Sequence, residues 1–212
     1  MRRCALLLIL LALLSLGVTA QTRYVKGQTL VSDEFPQISV SVNKSFQYLG
    51  KFDFTLRNIA GGTRFVFVDA DKQKNVKRLF IAQFEGFLPG IKHTYNYNFD
   101  KAPFIGKHKF RQNTFAYSNS ASEREDPGNE GSLTAKFLRE KGYKFEDEFM
   151  MSRFVTVPDA ERRHELILFY IENVSTTGKT IVDFYSGDDE TQIWRDISVG
   201  LTARSRKAFT IH

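Results

Sequence analysis

The sequence predicts an α+β protein of predominantly antiparallel β-sheet, forming a curved sheet or a barrel, with two helices of which the longer lies near the C-terminus. Three observations carry this reading. Apolar residues recur at every second position over much of the chain, which is the strand period. The runs are joined by short, turn-rich connections, which suit antiparallel neighbours because parallel strands need long crossovers. Only two segments carry helical spacing.

In chain order, Ile38, Val40 and Val42 alternate with Ser39 and Ser41. Phe46 and Tyr48 lead through Gly50 to Phe52, Phe54 and Leu56. A glycine inside a strand pattern marks a bulge or bend. Asn58 to Gly62 reads as a turn, Thr63 to Val68 as a strand, and Ala70 to Asn75 as a polar loop. Val76 to Phe87 is a long strand stopped by Pro89-Gly90. His93, Tyr95, Tyr97 and Phe99 alternate with Thr94, Asn96 and Asn98 and predict another strand. Phe104 to Tyr117 is aromatic but less regular.

The segment 118–131 has almost no apolar residue and includes Asp126-Pro127-Gly128-Asn129, so it reads as a long exposed loop or linker. Ser132 can cap a short helix with Leu133, Phe137 and Leu138 on its inner side and Gly142 at its exit. Phe145 to Val157, His164 to Val174 and Lys179 to Tyr185 read as strands. Asp189 then offers an N-cap, with Gln192 three residues on. Ile193, Ile197 and Leu201, with Trp194 beside them, form an apolar stripe on the longer helix. Phe209 and Ile211 predict a closing strand.

Thr63-Arg64-Phe65-Val66-Phe67-Val68 resembles Ser152-Arg153-Phe154-Val155-Thr156-Val157. Each is followed by a charged turn and an apolar strand ending in Glu: Leu79 to Glu85, and Leu166 to Glu172. The domain expectation is therefore one strand-rich unit over 21–212, with two related halves around the polar 118–131 segment as the sharper alternative.

The N-terminus predicts export. Arg2 and Arg3 precede an apolar run from Ala5 to Leu16, and Val18-Thr19-Ala20 supplies small residues for cleavage before Gln21. Residues 1–20 thus read as a signal peptide, and the protein as secreted or periplasmic. The apolar run is about a dozen residues, short of the roughly 20 that span a membrane. No membrane span is expected after cleavage. Cys4 is the only cysteine, so the processed chain carries none and relies on its core for stability.

The formal charge of +6 falls to near +4 without Arg2 and Arg3. Its densest basic cluster, Lys72, Lys74, Lys77 and Arg78, is broken by polar residues and reads as a solvated turn. No nucleic-acid partner is expected. The four histidines, His93, His108, His164 and His212, lack close ligand spacing, so no metal is expected, and no cofactor motif occurs. Gly-x-Ser-x-Gly is absent, so no catalytic residue is assigned. Asp188-Asp189-Glu190 and Glu146-Asp147-Glu148 read as a helix start and a solvated stretch.

The compositional excess is aromatic, with 20 Phe and 8 Tyr. Most must be core, since strands bury one face with such side chains. The functional alternative is a cavity for an apolar ligand. His93, Tyr95, Tyr97 and Phe99, with Trp194, are the candidate lining because they combine aromatic bodies with polar tips. The leading expectation is an exported non-enzymatic protein that binds an apolar small molecule or a protein partner. The alternatives are a carboxylate-dependent hydrolase acting on envelope or extracellular material, and an envelope assembly or interaction protein. Asn43-Lys44-Ser45 and Asn173-Val174-Ser175 fit the glycosylation acceptor pattern.

Overall fold

The structure is a computed structural model that describes residues 23–212; the expected signal peptide, with Cys4, lies outside the described residues. Antiparallel sheet dominates. Among the described residues fourteen strands run in chain order: β1 (Arg23–Lys26), β2 (Thr29–Ser32), β3 (Ile38–Val42), β4 (Gln47–Leu56), β5 (Ala60–Ala70), β6 (Val76–Phe87), β7 (Phe104–Ile105), β8 (His108–Lys109), β9 (Arg111–Ser118), β10 (Glu148–Thr156), β11 (His164–Asn173), β12 (Tyr185–Ser186), β13 (Asp189–Glu190) and β14 (Phe209–Ile211). The α-helices among the described residues are α1 (Asn119–Glu125), α2 (Glu130–Glu140) and α3 (Gln192–Arg206).

The main sheet has six strands in the order β4-β5-β6-β11-β10-β9, and a smaller sheet has the order β1-β2-β3-β14. The large sheet stays open, because its edge strands β4 and β9 do not pair with each other. Period two explains both of its faces. Phe65, Phe67, Phe80, Ala82, Leu166, Leu168 and Tyr170 point to a first face, packed on the small sheet and α3. Val66, Val68, Leu79, Ile81, Ile167, Phe169 and Ile171 point to the second face, covered by α2 and flanking loops. Burial on both faces is why β11 reads as an almost unbroken apolar run.

Several local expectations hold. Gly50 has φ +141 and the β4–β5 register shifts between Tyr48 and Gly50, so the glycine supplies the bulge. Gly142, with φ +77, provides the left-handed exit from α2. β14 closes the small sheet against β3.

Others are corrected. The segment 118–131 is not a bare loop but carries α1 and the start of α2. Ser118 caps α1 by accepting from Ala121 N, and Asn129, rather than Ser132, caps α2. The Asp147 carboxylate then accepts from Ser118 Oγ and from Ser120 N at 2.8 Å. Lys179 to Tyr185 forms a short 3-10 turn at Ile181–Asp183, capped by a Thr180–Asp183 box. α3 begins at Gln192 with Thr191 as its cap; Asp189 sits in the two-residue β13 instead. Its buried residues are Trp194, Leu201 and Ser205, while Ile193 is exposed.

The paired motifs lie in neighbouring hairpins, since β6 pairs with β11. Arg64 and Arg153 both reach the second face. The strands that follow do not match so simply. Leu79 points to the second face and Leu166 to the first, so alternation sends Glu85 and Glu172 to opposite sides. Among the described residues no helix is long and apolar enough to cross a membrane.

Candidate functional site

The second face carries a polar cluster beside a cavity. Its charged residues come from strand register. Glu85 on β6 stands directly opposite Glu165 on β11, and Arg64 on β5 stands opposite Gln83 on β6. Like charges facing across strands repel. The cluster must therefore hold a proton or counter-charge.

Arg64 is 4% exposed and fully engaged. It donates to Gln83 Oε1, to Thr134 Oγ1 and, at 2.7 Å, to the Glu130 carbonyl. It also pairs with the Glu130 carboxylate at 3.4 Å. Gln83 Nε2 donates to both Glu85 and Glu130, bridging the two carboxylates. Tyr95 donates from its hydroxyl to Glu85 Oε1 at 2.8 Å. Arg153 donates to the Tyr97 hydroxyl at 3.0 Å.

Burial and the neighbouring Glu85 push the Glu165 carboxyl up to about 8. Burial, then Glu130, raises Glu85 in the same sense. Burial lowers Arg64, opposed by Glu130. Glu165 is only 4% exposed and its Oε2 has no hydrogen-bond partner among the described residues. A carboxyl there is more stable neutral than ionised.

The cavity next to this cluster has a volume of about 390 Å³. It lies between the second face and the α1–α2 corner. Phe115, Phe149, Met151, Phe169 and Ile171 give it an apolar wall, and Arg64, Arg153 and Glu130 give it a charged end. That size and mixture fall within the range of small-ligand sites, about 300–1,000 Å³.

The expected lining residues divide. His93, Tyr95, Tyr97 and Phe99 do not form a strand; their segment is irregular. Arg162 holds it through side-chain donation to the Tyr95 carbonyl at 2.7 Å and the Tyr97 carbonyl at 3.0 Å. Tyr95 N returns a bond to the Arg162 carbonyl. The four rings nevertheless come together. Phe87 meets His93 at 5.8 Å and Tyr95 at 4.4 Å, Tyr95 meets Tyr97 at 6.4 Å, and Tyr97 meets Phe99 at 6.1 Å. Tyr95 and Tyr97 roof the Glu85–Glu165 pair rather than line the cavity. Trp194 is elsewhere. It is fully buried among the first-face residues, packs on Phe184 at 5.1 Å and donates to Glu190 Oε1 at 3.2 Å.

Sequence reasoning missed Arg64, Arg153, Glu85, Glu130 and Glu165 as a site. Arg64 and Arg153 stood in the paired motifs, so a charge inside an otherwise apolar strand was the available signal. Glu85 and Glu165 also border a separate depression with Phe35, Phe84 and His164. Phe84 points to the first face, so alternation turns both carboxylates away from that depression. Of the two glycosylation patterns, Asn43 is exposed, whereas Asn173 is buried and spends its amide on the Val76 carbonyl at 2.8 Å and Glu146 at 3.0 Å. Comparison with protein-family models, curated proteins and solved structures finds no match.

Proposed function

We propose that the chain is an exported, non-enzymatic binding protein that holds a small apolar ligand between its six-stranded sheet and the α1–α2 corner. The observation that carries this reading is the cavity of about 390 Å³, walled largely by aromatic and aliphatic side chains with Arg64, Arg153 and Glu130 as its charged groups. Apolar walls favour the body of a ligand and a few polar groups set its orientation. A carboxylate hydrolase is less well supported. Glu85 and Glu165 lie beneath Tyr95, whose hydroxyl already occupies Glu85. They do not border the apolar cavity. Export rests on the signal-like N-terminus.

The test is titration with a neutral apolar fluorophore such as N-phenylnaphthylamine. The native protein should show saturable, one-site binding. Met151→Trp, which places an indole in the cavity, should weaken binding roughly tenfold or more, about 1.4 kcal/mol, with the fold retained by circular dichroism. Absence of saturable binding by the native protein, or full binding by a folded Met151→Trp variant, would overturn the proposal.

A further inference from the structure

The cavity wall holds one cation without an ionic partner. Arg64, at the same end, is neutralised by Glu130 and spends its donors on Gln83, Thr134 and the Glu130 carbonyl. Arg153 lines the cavity but forms no ion pair among the described residues; its side-chain hydrogen bond goes to the Tyr97 hydroxyl. The guanidinium also lies 5.6 Å from the Tyr97 ring centroid. A guanidinium has five donors in a planar fork. Among the described residues only one Arg153 donor is engaged, so the fork keeps donors at the cavity, where an opposite charge is held more strongly than in water.

We infer that the ligand is a small monoanionic amphiphile, a carboxylic acid with an apolar body, whose carboxylate pairs with Arg153. The inference rests on the cavity-binding reading above and deepens it. A carboxylate matches the guanidinium fork with two parallel hydrogen bonds. The body then lies against Phe115, Phe149 and Phe169. A phosphate dianion fits less well, because Arg64, the other cation in the wall, is already matched by Glu130.

The neighbouring carboxyls make this binding depend on pH. Glu165 faces Glu85 on β6, Arg153 on β10, Tyr97 from the roof segment and Glu130 on α2. Tyr95 also faces it, and Arg64 faces its neighbour Glu85. With Glu165 neutral, the anions Glu85 and Glu130 face Arg64 and Arg153, and Arg111 on β9 adds a further cation 5.9 Å from the Tyr97 ring centroid. An arriving carboxylate adds negative charge, so it is accepted best while Glu165 keeps its proton. Ionising Glu165 places a competing anion near Arg153. Affinity for an anion should therefore be full below about pH 8 and fall above it, whereas affinity for a neutral amphiphile should not.

The experiment is displacement of the neutral fluorophore by decanoate and by decanol, at about pH 6 and about pH 10. Decanoate should displace it roughly tenfold more tightly than decanol at the lower pH. Arg153→Met should abolish that preference and leave decanol binding intact. Glu165→Gln should keep the preference but flatten its loss at high pH. If decanol equals decanoate in the native protein, or Arg153→Met leaves the preference unchanged, the head-group inference is wrong while the cavity reading stands. If the fluorophore binds nowhere, the cavity reading itself fails and this inference with it. An unchanged pH slope in Glu165→Gln would overturn the linkage to Glu165.

Discussion

Trp194→Ala should destabilise the protein by about 3–5 kcal/mol. The indole is fully buried, packs against Phe184 at 5.1 Å and Tyr185 at 6.0 Å, and seats the first turn of α3 on the sheet. Its Nε1 donation to Glu190 at 3.2 Å is lost as well. Leu201, two turns on and also fully buried, should cost about 2–5 kcal/mol when cut to Ala. For a chain of this size each kcal/mol lowers the melting temperature by about 2–4 °C. A drop near 10 °C is therefore expected for Trp194→Ala. Val199→Ala is the matched control, since Val199 lies on the same helix and is 71% exposed. Thermal unfolding followed by circular dichroism decides the matter. Equal melting temperatures for Trp194→Ala and Val199→Ala would mean that α3 is not anchored through its indole.

The second large effect is that of Glu165→Gln in alkaline solution. Glu165 holds its proton up to about pH 8 in the folded protein, well above an ordinary carboxyl. The unfolded chain releases that proton near its usual value, about 4.3. Between those two values the folded state binds more protons, so stability falls as pH rises, and the loss levels off above about 8. Each unit of separation is about 1.4 kcal/mol, which puts the whole loss on the order of a few kcal/mol. Glutamine keeps the shape and cannot ionise. The variant should match the native protein below about pH 4 and exceed it by a few kcal/mol above about pH 8. Urea midpoints measured across this range supply the comparison. Parallel pH curves for the two proteins would show that Glu165 ionises freely in the native state.

What the sequence discloses and conceals follows from where the partners of each residue lie. Val76–Phe87 is legible to its last residue because its apolar run and its Pro89-Gly90 stop are both local. The bulge at Gly50 is legible for the same reason. His93 to Phe99 alternates, yet its backbone is satisfied by the Arg162 side chain rather than by a neighbouring strand. Alternation records a face, not the identity of the hydrogen-bond partner. The 118–131 segment lacked an apolar stripe because α1 buries no residue; Ser118 and Asp147 hold it by hydrogen bonds instead. The polar cluster was hidden because it exists only in register. Glu85 and Glu165 become neighbours when β6 meets β11, and Arg64 meets Glu130 only when α2 crosses the sheet.

The pairing of β14 with β3 bears on how such a chain can be made. Ser41 Oγ and His212 Nε2 meet at 3.1 Å although they stand 171 positions apart in sequence. Closing so long a loop is entropically slow, and strands that pair over such distances wait for their partner. Until the residues of β14 have been synthesised, β3 presents an unpaired edge and Val40 and Val42 lack the neighbours Phe209 and Ile211. A polypeptide synthesised N-terminus first spends most of its synthesis with that edge open. Such an edge is open to a chaperone and equally to a second nascent chain. The yield of the folded protein should thus depend on what shields residues 38–42 during synthesis, a kinetic demand that the finished structure no longer shows.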